Sequence, residues 1–210
     1  SVVQMWARYV IETRGWDSEV ANWSFNTGNA FDPGLTIIFV RAMQAANSGD
    51  ALKVEQHLAR FQAMKTELAT AISGLEEQSP TDMLYLDRLV VLEREIQAAL
   101  ENARGDKLAA VSLARNASAL EGEMPFSFGP PFVDLPSAEY LGELLLAAQK
   151  YEEAADAFET QLERSRQKAN ALQGLARAQS AMGREAEARY TREKLDRIRA
   201  AADESDKRSG

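Results

Sequence analysis

His57 is the chain's one histidine, and cysteine is absent from all 210 residues. Those two counts decide most of the chemistry. A transition-metal site rich in nitrogen or sulfur needs several such ligands converging, so none is expected. A Ser–His–Asp triad would have to be built on His57, and no Gly-x-Ser-x-Gly segment supplies its nucleophile. His57 follows Val54 and precedes Leu58 and Phe61 at the edge of an apolar stripe, which predicts a helix-surface or interfacial imidazole. Carboxylates are the residue type that acid–base chemistry uses, and Glu93/Glu95, Glu121/Glu123 and Glu152/Glu153 come in pairs. With 32 acidic against 24 basic residues, such pairs read as solvated helix faces. Asp87 and Asp106 lie near turns, but no loop alternates oxygen ligands as a calcium loop does. Neither phosphate-cradling glycine motif is present. No catalytic residue, metal or cofactor is expected.

Composition narrows the partners. The hydrophobic share of 45% is that of a globular chain rather than a disordered one. A net charge of −8 argues against nucleic acid or an anionic membrane, because both require a basic footprint. No run approaches the roughly 18 apolar residues of a spanning helix. Ser1 leads directly into an amphipathic segment rather than a charged start and an apolar stretch, so no signal peptide is expected here. Exported and cytoplasmic settings both stay open. Asn22-Trp-Ser24 and Asn116-Ala-Ser118 match the glycosylation pattern at the level chance provides.

The elements that must position any site are helical throughout. Val3, Trp6, Val10 and Ile11 share one side of a helix over Val2 to Thr13, with Tyr9 flanking them. Gly15 is expected to close that helix with positive φ, and Asp17 to cap a short second helix carrying Val20 and Trp23. The stretch from Asn26 to Gly34 reads as a loop. A second pair follows over Leu35 to Asn47 and Asp50 to Met64, turning at Ser48-Gly49-Asp50, and Lys65 to Ser79 is ambiguous. In the third pair Ser79-Pro80-Thr81-Asp82 has the pattern of a capping box. Leu89, Leu92, Ile96, Ala99 and Ala103 then follow helical spacing over Asp82 to Ala103. Leu108, Val111, Ala114, Ala117 and Leu120 mark the return helix.

Met124 to Val133 holds three of the six prolines and three of the eight phenylalanines. Pro130-Pro131 cannot lie inside a helix, and exposed phenylalanine is costly, so this stretch is expected to pack as a linker. A fourth pair covers Leu135 to Ala148 and Tyr151 to Ser165. The fifth covers Ala169 to Met182 and Glu185 to about Ala202. The expected division is 1–121 of irregular helical pairs, a 122–136 linker, 137–202 of two regular pairs and a disordered 203–210 tail.

A spacing of 34 runs through the chain. Gly15 and Gly49 are 34 apart, and Leu141, Ala147, Lys150, Glu153 and Ala154 recur 34 later as Leu175, Ala181, Arg184, Glu187 and Ala188. That period belongs to helix–turn–helix repeats. Leu141-Gly142, Tyr151-Glu-Glu-Ala154, Phe158 and Leu162 resemble the tetratricopeptide (TPR) signature. Leu175-Ala176, Gly183 and Ala188 continue it, with Arg192 in place of the late aromatic and Tyr190 nearby. Gly142 and Ala154 would let the helices of a hairpin touch, while Tyr151 and Phe158 would fill the gaps to their neighbours. The stretch from Gly129 to Leu195 resembles the C-terminal part of a group of bacterial TPR proteins, several of them exported. The resemblance implies that further helical pairs precede this region in a larger solenoid.

The expected fold class is therefore all-α, a right-handed TPR-like solenoid of about five antiparallel helix pairs. The expected function is a protein-interaction scaffold, taking a partner peptide or subunit in the concave groove or at an open solenoid end, where self-association is also expected. In that register Glu139, Glu143, Gln173 and Arg177 face the groove, with Phe39, Met43 and Asn47 further along. The rival expectation is an accessory subunit or small-molecule-binding protein using Phe126 to Phe132. The aromatics Trp6, Tyr9, Trp16, Trp23 and Phe25 fit core packing, with an exposed partner site as the rival.

Overall fold

The computed structural model describes residues 1–125 and 135–209. Among them the regular structure is helical: α1 Val2–Thr13, a 3₁₀ turn Val20–Asn22, α2 Phe31–Asn47, α3 Ala51–Ser73, α4 Pro80–Arg104, α5 Lys107–Glu123, α6 Ser137–Ala147, α7 Tyr151–Arg164, α8 Ala169–Ala181 and α9 Glu185–Ser209. The chain divides into two compact units, Ser1–Ser137 and Ala138–Gly210.

Local chemistry starts and stops these helices. The Ser79 hydroxyl accepts from the Asp82 N–H while the Asp82 carboxylate accepts from the Ser79 N–H, so two orphan amides of α4 are satisfied at once. Asp50 and Asp106 cap α3 and α5 in the same way, each accepting from the amide three residues on. One turn design closes five helices. Arg14, Gly49, Gly105, Gln149 and Gly183 take left-handed φ. In each case the next N–H reaches back five residues, as from Asp50 to the Ala45 carbonyl and from Lys150 to that of Leu145. At the first turn Arg14, and not Gly15, holds the positive φ of 51°. A side chain in that region is strained, and Gln149, exposed at φ 60°, is held there with a Cβ. Gln149→Gly is expected to stabilise the chain by about 0.5–1 kcal/mol, read as a higher urea midpoint. An unchanged or lower midpoint would contradict the strain.

In the N-terminal unit α2 packs against α1, α3 and α4, and α4 packs against α3 and α5. Phe39, Leu35, Phe61, Leu89, Leu92 and Ile96 are fully buried there. Two expectations are corrected and one ambiguity is resolved. Asn26 to Gly34 is not all loop, because Phe31, Asp32 and Pro33 form the first turn of α2, where a proline costs no hydrogen bond. The ambiguous Lys65 to Ser79 continues α3 to Ser73, with Ile72 buried and the Thr66 and Thr70 hydroxyls donating to carbonyls one turn back. Leu108 is 71% exposed, and Ala110, Val111, Ala114 and Ala117 form the buried face of α5 instead.

The C-terminal unit holds α6 to α9, with α7 against α8 and α8 against α9. Phe158 is its centre. The ring is fully buried, and a Cβ built on Gly142 would lie 2.7 Å from it, while one on Gly174 would overlap it. The phenylalanine of α7 thus sits where α6 and α8 each carry a glycine. Helix α9 runs on to Ser209 through the region expected as a tail, since Ala200-Ala201-Ala202 favours helix.

Candidate functional site

Helices α6 and α8 are the first helices of consecutive hairpins, and the 34-residue spacing lays Glu143 and Arg177 side by side. Arg177 Nη1 donates to Glu143 Oε2 at 3.2 Å across the two helices. Gln173, one turn earlier on α8 and exposed, accepts from Arg199 Nη2 of α9 at 3.3 Å. The Arg177 side chain is 58% exposed, so an ion pair of this kind contributes little stability. The result is a polar face of paired opposite charge with an amide beside it, presented by rigid helices. Such a face can hydrogen-bond an extended backbone or pair with charged side chains.

The other sequence-predicted site residues lie elsewhere. Glu139 is fully buried in the first turn of α6, where an acid complements the exposed amides of a helix start. Phe39 and Met43 are buried, because α2 has neighbours on three sides and its apolar face has no groove to line. Asn47 is exposed at the end of α2. The face therefore reduces to Glu143, Gln173 and Arg177, with Arg199 added from a second helix of the pair. Residues Phe126 to Phe132, expected as the rival aromatic site, lie outside the described residues.

His57 is half-buried on α3, and its Nδ1 has no hydrogen-bond partner among the described residues. Burial and the nearby Arg60, Arg41 and Lys53 push its pKa below the ordinary value, so the ring stays neutral near pH 7. Among the described residues no group of three or more His, Asp or Glu side chains is placed to hold a metal ion.

The aromatic N-terminus divides between core and surface. Trp6 and Trp16 are buried. Trp6 Nε1 donates to the Val20 carbonyl at 2.7 Å, and its ring meets Phe25 edge-on at 5.1 Å. The Arg41 guanidinium stacks 5.5 Å from the Trp6 ring centre and donates to the Trp23 carbonyl at 2.7 Å. Val2, Met5 and Tyr9 are exposed at helical spacing on α1, and Trp23 is exposed beyond it.

Three carboxylates, of which Glu95 is fully buried, hold the framework of the N-terminal unit. Glu93 on α4 accepts from Lys65 and from Gln62 Nε2 of α3, the latter at 2.8 Å. Burial pushes Glu93 up, but those hydrogen bonds outweigh it and hold the carboxyl below its ordinary value. Ser137, the last residue of the N-terminal unit, donates its hydroxyl to Glu95 Oε1 of α4 at 2.6 Å and its N–H to Glu121 Oε2 of α5 at 2.7 Å. Glu95 and Glu121, read from sequence as solvated acids, are thus structural. No helix among the described residues is long and apolar enough to cross a membrane.

Comparison with protein-family models, with curated proteins and with solved structures returns no match to this chain.

Proposed function

We propose that this chain is a protein-interaction module built of TPR-like helical hairpins, with no catalysis of its own, whose α6/α8 face takes a segment of a partner protein. The observation that carries the reading is the Glu143–Arg177 pair, two first-helix residues 34 apart that meet on one exposed face. The Phe158 ring between Gly142 and Gly174 supports the TPR-like packing, because small residues there are what close helix approach requires. The contact of α2 with α4 supports the same succession of hairpins in the N-terminal unit. A partner segment engages Arg177 through a carboxylate or backbone carbonyl and Gln173 through its amide.

The reversed pair Glu143→Lys/Arg177→Glu keeps the ion pair and its small stability while inverting the pattern that a partner reads. Affinity capture from the native cell extract is expected to retain a partner on the parent chain and to lose at least about tenfold of it on the reversed pair, a cost of two misplaced charges. Equal retention by both would remove the site from this face. The exposed stripe Val2, Met5 and Tyr9 favours a second route, self-association through α1. Sedimentation that depends on concentration, abolished by Met5→Glu, would support that route.

A further inference from the structure

We propose that a cleft between α4 and α5 in the N-terminal unit is a second docking site, for a segment of another protein that presents an apolar side chain flanked by lysine or arginine. The cleft has a volume of about 290 Å³, and Leu84, Val91, Leu120 and Met124 form its apolar wall. That volume is at the lower edge of the roughly 300–1,000 Å³ typical of small-molecule sites. It suits an anchoring side chain better than an enclosed ligand. Met124 adds a flexible wall that adapts to the shape of an insert.

Charge selects the occupant. Asp87 and Glu123 flank the apolar wall, both exposed, and among the described residues no lysine or arginine lines the cleft. Neither carboxylate makes a hydrogen bond or ion pair among the described residues, whereas the neighbouring Glu93, Glu95 and Glu121 are all engaged. Two uncommitted acids beside a partly exposed apolar wall fit an insert that brings its own cations. A net charge of −8 steers a basic segment toward the chain. An anionic ligand meets only repulsion there.

The test uses the full chain and a fluorescein-labelled peptide, Lys-Lys-Leu-Phe-Lys-Lys, followed by fluorescence anisotropy. Its controls are Glu-Glu-Leu-Phe-Glu-Glu and Lys-Lys-Ser-Ser-Lys-Lys. The basic apolar peptide is expected to bind at least about tenfold more tightly than either control. Asp87→Asn/Glu123→Gln, two exposed isosteric changes that leave the fold intact, is expected to weaken it about tenfold, with helicity unchanged. Equal binding of the serine control would reduce the effect to bare charge and overturn the proposal. So would full affinity in the double variant. Binding that emerges only after Phe126→Ser/Phe128→Ser would assign the cleft to this chain's own residues and overturn it as well. The α6/α8 face is untouched by these variants, so the two readings fail independently.

Discussion

Gly174→Ala is expected to destabilise the chain by about 2 kcal/mol, although alanine is the better helix former. Two effects oppose each other. Replacing a helical glycine gains up to about 1 kcal/mol from backbone entropy. The new Cβ, however, would overlap the Phe158 ring, which is fully buried and has nowhere to swing. Overpacking of this kind costs about 1–3 kcal/mol, and occasionally more, so the clash wins. Gly142→Ala meets the same ring at 2.7 Å and is expected to lose less. Gly122 on α5 is the control, since a Cβ there meets nothing within 4 Å. Gly122→Ala is therefore expected to stabilise by a few tenths of a kcal/mol, the opposite sign from the same chemical change. Urea unfolding followed by circular dichroism reads all three. Trimming the ring should rescue the clash: Gly174→Ala/Phe158→Leu is expected to fall short of the sum of its single variants by about 1 kcal/mol or more. Gly174→Ala at or above parental stability would refute the wedge.

Asp32→Ala is expected to cost about 2–3 kcal/mol, the largest loss from any single polar change in the N-terminal unit. One carboxylate there ties three helices. Asp32 Oδ1 accepts from the Tyr85 hydroxyl at 3.0 Å and from Arg88 Nη1 at 3.1 Å, and Oδ2 accepts from Gln4 Nε2 at 2.9 Å. The Arg88 side chain is only 7% exposed, and its guanidinium lies 5.6 Å from the Tyr85 ring centre. Burial, followed by the Asp32 charge, pushes the Tyr85 hydroxyl well above its ordinary pKa, so it stays a donor at any working pH. Removing the carboxylate leaves a desolvated cation without this anion, which is the expensive way to break a buried pair. The Asp32 side chain is 35% exposed, which holds the loss below the full penalty of a buried pair. Asp32→Ala/Arg88→Met removes the cation too and is expected to recover part of the loss. A double variant less stable than Asp32→Ala would show that Arg88 contributes stability beyond its pair with Asp32. By contrast, the exposed Arg104–Glu55 pair is worth no more than a few tenths of a kcal/mol.

The helices were largely legible because their punctuation is local. Ser79-Pro80-Asp82, Gly49-Asp50 and Gly105-Asp106 satisfy their own backbone groups within five residues, so the residues alone mark those boundaries. What depends on neighbours was not legible. Arg14 takes the left-handed turn although Gly15 stands beside it, because the backbone register of α1 sets the position. Phe39 and Met43 share helical spacing with Asn47, yet the three helices packed around α2 cover them. Glu95 and Glu121 read as surface acids, yet both accept hydrogen bonds from Ser137, where the chain returns. Gly174 carries no mark that separates it from any helical glycine until Phe158 is placed against it. Of the candidate site, the repeat spacing alone brought Glu143 and Arg177 together. The acids flanking the α4/α5 cleft sit 36 residues apart, at Asp87 and Glu123, and share no periodic relation.

The most direct test of the α6/α8 face is site-specific photocrosslinking in the native extract, with benzoylphenylalanine placed at Gln173 on that face or at Arg189, exposed on α9. Docking on this face predicts a discrete adduct from position 173 that disappears in the Glu143→Lys/Arg177→Glu background, and none from position 189. An adduct from position 189 with none from 173, or one from 173 that survives the reversed pair, would contradict it.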